Sequence, residues 1–109
     1  MATKSQTSGR AAILLHPDDN VITVLSDAAK GETASAGSGE QHVDVCLIEA
    51  VRFGHKIAIK ALAEGEEVIK YGMPIGAALT TIEPGAWVHV HNCRSVRYGF
   101  RQEKYGIRA

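Results

Sequence analysis

The chain has 109 residues, 45% of them hydrophobic and 22% charged, with Lys+Arg and Asp+Glu balanced at 12 each. One compact domain is the expectation for this length, and the composition is that of a globular protein. The balanced charge gives no bulk electrostatic case for nucleic acid or for an anionic membrane surface.

The first ten residues, MATKSQTSGR, are polar and lack the apolar region of a signal peptide, and they read as a tail. No apolar run approaches 18 residues, so no membrane-spanning helix is expected, and the two cysteines, Cys46 and Cys93, read as reduced thiols of a cytoplasmic protein. Ala11–Leu15 is a short apolar run that stops at His16-Pro17-Asp18-Asp19-Asn20, a turn cluster whose proline holds His16 extended. Val21–Leu25 is β-branched and reads as a strand, with His16 near the turn of a hairpin. Asp27–Thr33 carries Gly31 in a phrase that returns as Ala63–Val68 around Gly65 and as Glu83–Val88 around Gly85, predicting three copies of one glycine turn. Ala34–Gly39 reads as a flexible loop.

Gln41–Phe53 fits either period, with Val43, Val45 and Leu47 alternating as in a strand; a strand is expected from the surroundings. Lys56–Lys60 and Glu67–Tyr71 alternate as strands, Gly72–Gly76 reads as a turn, and Ala77–Ile82 as a short strand or one helical turn. Ala86–Cys93 alternates again, which would put Trp87, His89 and His91 on one face and Val88 and Val90 in the core. Short strands, glycine turns and no long helical period predict a small, irregular all-β fold over residues 11–95, with residues 1–10 and 96–109 as tails. The late basic residues Arg94, Arg97, Arg101 and Lys104 read as a solvated tail.

The chemistry concentrates in imidazoles and amines. His89 and His91, two apart on an extended chain, can share a metal ion or an anion, or move protons. His55 follows Gly54 at the mouth of a strand and reads as a ligand, a base or a turn cap. Lys56, Lys60 and Lys70 can receive a carboxylate, although lysines on strands more often face solvent. His16 beside Asp18 and Asp19 fits a metal site or a polar turn; Tyr71 and Trp87 read as core or interface residues. There is no Ser-His-Asp order, phosphate loop or Cys-x-x-Cys pair, and a chain this short offers little depth for a pocket, so a partner is expected to complete one.

HPDDNV (16–21), GHKIAIKAL (54–62), EGEEVIKYGMPIG (64–76) and PGAWVHVHN (84–92), in this order, resemble the N-terminal SAF-type domain of the altronate and galactarate dehydratases. In several relatives, sulfolactate sulfo-lyase among them, that domain is a separate small subunit. The resemblance implies a β-clip fold and the small subunit of a hydro-lyase. The reaction would be metal-assisted elimination of water from a sugar acid, or of sulfite from a sulfonated analogue, to leave a 2-keto product. It implies a divalent metal, iron or manganese, shared with a large subunit. A non-enzymatic sugar-acid-binding or assembly module is the alternative, and homo-oligomerisation stays open. On this chain it points to His55, Lys56, Lys70, His89 and His91 for catalysis, to Lys56, Lys70 and Asn92 for substrate, and to His16, His89 and His91 for the metal, without telling base from ligand. The loop 34–44, the tail after Asn92 and the absence of the large domain depart from the family pattern.

Overall fold

A computed structural model describes residues 9–38 and 40–95; of the expected tails at 1–10 and 96–109, residues 1–8 and 96–109, with Arg97, Arg101 and Lys104, lie outside the described residues, and Arg10 opens a strand instead. Nine strands and no helix are found among the described residues: β1 Arg10–Ile13, β2 Val21–Val24, β3 Thr33–Ser38, β4 Gln41–Cys46, β5 Lys56–Ala58, β6 Glu67–Lys70, β7 Met73–Ala78, β8 Trp87–Val88 and β9 Cys93–Ser95. The all-β expectation holds. A six-stranded sheet runs β4-β3-β1-β2-β5-β8, antiparallel throughout except for the parallel β1–β3 pair, and a three-stranded sheet runs β9-β7-β6.

The glycine phrases do form one kind of turn, in four copies rather than three. Glu32, His55, Glu66 and Ala86 each donate a backbone N–H to the carbonyl three residues earlier (3.0, 3.1, 2.9 and 3.1 Å). The residue before each donor is a glycine, at φ 92° for Gly31 and 87° for Gly54, Gly65 and Gly85, the third position of a type II turn, where a side chain would be strained. The unexpected copy is Arg52-Phe53-Gly54-His55. The turns repeat as pairs. Gly31 with Glu32 exchanges backbone bonds with Leu47 as Gly65 with Glu66 does with Ala78, and Gly54 with His55 brackets Val24 as Gly85 with Ala86 brackets Ala58. Ala28 bridges Val51 as Leu62 bridges Ile82. The chain is therefore two halves, each a strand, a turn, a hairpin and a second turn. Side-chain details repeat too: Glu32 Oε1 accepts from the Ala29 N–H at 2.7 Å and Glu66 Oε1 from the Ala63 N–H at 2.9 Å.

Two apolar clusters flank the strands that join the halves. Leu14, Ile22, Val24, Leu47, Val51 and Ile57 lie in one; Val21, Ala58, Leu62, Val68, Ile82 and Val88 lie in the other. Neighbouring residues of β2 and β5 thus point into opposite cores, as expected when a strand is covered on both faces and its sequence becomes nearly continuous in apolar residues.

Three local expectations are corrected. Ala34–Gly39 is not a loop up to residue 38: β3 pairs with β4 over six residues, and the alternating Ala34 and Ala36 are buried in the core. The turn read at 72–76 is Tyr71-Gly72, both at positive φ (63° and 74°), a two-residue hairpin turn that leaves Met73–Ala78 as strand β7. Pro74 is tolerated there beside a register shift between Val68 and Ile69. The strand expected over 86–93 stops at Val88, and Val90 lies outside the core at 76% exposure. His89 O accepts from the N–H groups of Asn92 and Cys93 (3.0 and 2.9 Å), which folds residues 89–92 into a turn instead.

Candidate functional site

The antiparallel register of β5 and β8, Lys56 with Val88 and Ile57 with Trp87, carries the strand ends into position: one step beyond the paired residues, His55 faces His89. Their rings are 5.1 Å apart. Trp87 packs against three imidazoles, stacked on His89 (5.0 Å, 12°), tilted on His91 (4.9 Å, 43°) and edge-on to His55 (5.4 Å, 76°). The sequence placed Trp87, His89 and His91 together through a strand alternation. They do come together, but through the turn, which swings His91 back over the indole.

That turn is held by Asn92. Its side chain is buried, its Oδ1 accepts from the His89 N–H at 2.9 Å, and its Nδ2 donates to the Trp87 carbonyl at 2.8 Å. Asn92 was expected on the substrate; both ends of its amide are engaged by the turn, and it shapes the loop that carries the histidines. Below Trp87, Glu49 Oε2 accepts from the Trp87 backbone N–H at 3.0 Å.

The indole N–H of Trp87 donates to His55 Nδ1 at 3.1 Å. An indole nitrogen can only donate, so Nδ1 is the accepting nitrogen and the proton of neutral His55 sits on Nε2. His55 is thereby a positioned N–H donor rather than a ready base. His89 differs: partial desolvation, then the neighbouring His55, Lys56 and His91, hold its pKa below the ordinary 6.5, so its ring is neutral at neutral pH and able to take a proton.

Two grooves meet at His89. The larger, about 510 Å³, is lined by Asp27, Ala50, Arg52, His55, Trp87 and His89. The smaller, about 200 Å³, is lined by Lys56, Ile75, Val88, His89, Val90 and Cys93, with Ser95 at its edge. Burial, then the charge of Lys70, lowers the Lys56 pKa; burial raises that of the Cys93 thiol. Cys46 and Cys93 are free thiols, as expected.

His16 belongs elsewhere. It lies against the β6–β7 turn, its ring 2.9 Å from where a Cβ on Gly72 would stand, and its Nδ1 accepts from the Asp18 N–H at 3.0 Å. Among the described residues no three His, Cys, Asp or Glu side chains form a group able to hold a metal ion, so His16, His89 and His91 do not assemble into one ligand set and the resemblance's divalent metal finds no complete seat. Ser35, Asp44 and His42 also cluster, but both the hydroxyl (2.6 Å) and the imidazole (3.0 Å) bind the same Asp44 oxygen, so the serine is not activated by the histidine.

Trp87, Arg52, Asp27 and Cys93 were not singled out for the site from the sequence. Only Trp87 carried a signal, as the residue in step with both histidines. The HPDDN phrase proves structural at its end: Asp19 accepts from the Tyr71 and Gly72 N–H groups (2.9 and 2.8 Å), while Asn20 accepts from the Ile69 N–H (2.7 Å) and donates to the Glu67 carbonyl (2.9 Å).

Known proteins are similar to this chain in sequence. The chain is 41% identical over 93 residues to altronate dehydratase of Escherichia coli, covering 85% of this chain and 18% of that protein. It is 36% identical over 86 residues to altronate dehydratase of Bacillus subtilis, covering 79% and 16%. It is 48% identical over 50 residues to the (2R)-sulfolactate sulfo-lyase subunit alpha of Chromohalobacter salexigens, covering 46% and 53%. The chain thus spans less than a fifth of the length of either dehydratase. A family model described as the altronate/galactarate dehydratase SAF domain matches residues 10–96, and over that span, which includes both halves of the repeat and the histidine turn, the chain belongs to that family.

Proposed function

We propose that this chain is the small component of a cytoplasmic sugar-acid dehydratase, which lends an imidazole and amine rim to a pocket completed by a large catalytic subunit. The observation that carries it is the convergence of His55, His89 and His91 on Trp87 at the meeting of two shallow grooves, in a chain of the dehydratase SAF family. The reaction it suits begins with removal of the proton beside a carboxylate. His89, neutral at neutral pH, accepts that proton, and the electron pair is held on the carboxylate. The pair then returns to form the carbon–carbon double bond as the hydroxyl on the next carbon leaves as water with the proton given back by the His89 imidazolium, and the enol becomes the 2-keto acid. The Nε2–H of His55 and the ammonium groups of Lys56 and Lys70 stabilise the developing oxyanion. His91 packs against the same indole. Iron or manganese, as the family resemblance implies, would draw its ligands mainly from the large subunit, and no step here runs through it.

The test is reconstitution with the large dehydratase-type polypeptide and assay for 2-keto product. His89→Ala should lower kcat by about 10²–10⁴-fold, the range for a lost general base, while association persists. Full turnover by the 109-residue chain alone would sink the two-component reading. Lost association with unchanged turnover per complex would favour a binding or assembly module. The likeness to a relative named as a subunit, at 48% identity, favours one second reading, a sulfo-lyase small subunit. A substrate panel read for sulfite separates the two.

A further inference from the structure

We propose that the small groove beside His89 is a carboxylate-binding subsite, with the Lys56 ammonium as its principal contact, and that it sets the direction in which a hydroxy acid lies across the rim. The proposal relies on the dehydratase reading only for the identity of the natural ligand.

Lys56 reaches the groove from the first position of β5, where it pairs with Val88, and is half-buried there. Among the described residues its ammonium has no ion-pair or hydrogen-bond partner. Among the described residues no aspartate or glutamate lines the groove, and the charges that act on Lys56 are a second cation, Lys70, which disfavours its charged form, and the Cys93 sulfur, which opposes that more weakly. A partly dry cation without a counter-ion is costly to hold in a structural role, and an incoming anion relieves that cost. Ile75, Val88 and Val90 form apolar walls, which strengthen a charge-assisted hydrogen bond made between them. At about 200 Å³ the groove has room for a carboxylate and the first carbon or two, on the scale of ~30 Å³ per water, but not for a whole sugar acid.

His89 lines both grooves, so it stands where the carbon next to a bound carboxylate would be. The hydroxylated remainder then extends into the larger groove, toward Arg52, Asp27 and the Nε2–H of His55. The depressed pKa of Lys56 agrees with this placement, since binding an anion favours the charged amine.

The test uses the full chain, labelled with ¹⁵N, and two probes: tartrate, and erythritol as an uncharged polyol of equal carbon number. Tartrate should saturate shifts at the amides of Lys56, Val88, His89 and Cys93, and erythritol should not. Lys56→Met and Lys56→Gln should each weaken tartrate about tenfold, the loss of one charge-assisted hydrogen bond. Lys60→Met, an exposed lysine lining neither groove, should leave it unchanged. Equal response to erythritol, tartrate shifts scattered over remote basic residues, or undiminished binding by both Lys56 variants would each overturn the subsite. Turnover of the reconstituted complex is a separate measurement. An inactive complex with intact tartrate binding sinks the dehydratase reading alone, and an active complex without the tartrate site sinks only this one.

Discussion

The two halves of the chain share a backbone and divide the chemistry. Each runs strand, type II turn, hairpin and type II turn through the same hydrogen bonds, yet the second turn of the first half delivers His55, and that of the second half leads through Trp87 into the His89–Asn92 turn. The hairpins diverge as well. β3–β4 pairs evenly over six residues, whereas β6–β7 is bulged and tied from outside by Asp19 and Asn20. What recurs is scaffold. What appears in one half alone, the indole, the histidine turn and the small groove, is where binding and catalysis are proposed. A repeat of this kind therefore sorts residues by subtraction.

The sharpest way to break the comparison is at equivalent glycines. Gly54 and Gly85 hold the same position and the same φ, but a Cβ at Gly54 meets nothing within 4 Å, while one at Gly85 would run into the Cys46 carbonyl. Gly85→Ala should cost about 3–4 kcal/mol and Gly54→Ala about 1–2 kcal/mol by urea denaturation, the shared part being backbone strain. Equal losses would show that the halves are packed alike and that only φ matters.

Next comes the tie peculiar to the second hairpin. Asp19→Ala strips acceptors from two backbone N–H groups and should cost about 2–3 kcal/mol, with hydrogen exchange accelerated first at Tyr71 and Gly72 and not in β3–β4. Uniform acceleration across both hairpins would mean that they open as one unit.

A smaller effect of opposite sign is expected at Lys56. Its folded pKa lies below the unfolded value of 10.5, so the unfolded chain binds its proton more tightly and the penalty is fully present at neutral pH, lifting only as pH rises through the folded value. Lys56→Met should therefore stabilise the isolated chain, on the order of 0.5 kcal/mol after allowance for solvent screening, even as it weakens anion binding. His89 obeys the same sign lower down. With its folded pKa below 6.5, its contribution is present above that value and is lost as pH falls through and below it, and its ring resonances should titrate with a midpoint under 6.5.

The finest test leaves stability nearly unchanged. Trp87→Phe keeps an aromatic ring beside the imidazoles and removes the N–H that fixes His55. ¹⁵N spectra of His55 should pass from one tautomer to a mixture, and an unmoved Nε2–H signature would show that the indole does not set it.

Much of this was legible in the residues. Alternation and glycine phrases gave short strands and repeated turns, since a type II turn requires a residue free to take positive φ and a strand buried on both faces reads as an apolar run, as Val21–Val24 does. Four phrases in order pointed to the family, and His55, Lys56, His89 and His91 to the rim. Gly54 marked a turn, but its kinship with the other three was not read, because Arg52-Phe53-Gly54-His55 shares only its glycine with them.

The sequence by itself determined the kind of structure, all-β with glycine-punctuated turns, because local backbone preferences and side-chain periodicity act over a few residues. Only the tertiary structure decided which histidines meet. His16 and His89 look alike in the chain, but the register of β5 against β8 and the Asn92-held turn bring His55, His89 and His91 to one indole, while His16 goes to the β6–β7 turn. Pairing between strands some 30 residues apart is set by the fit of two cores, which no short window of residues contains.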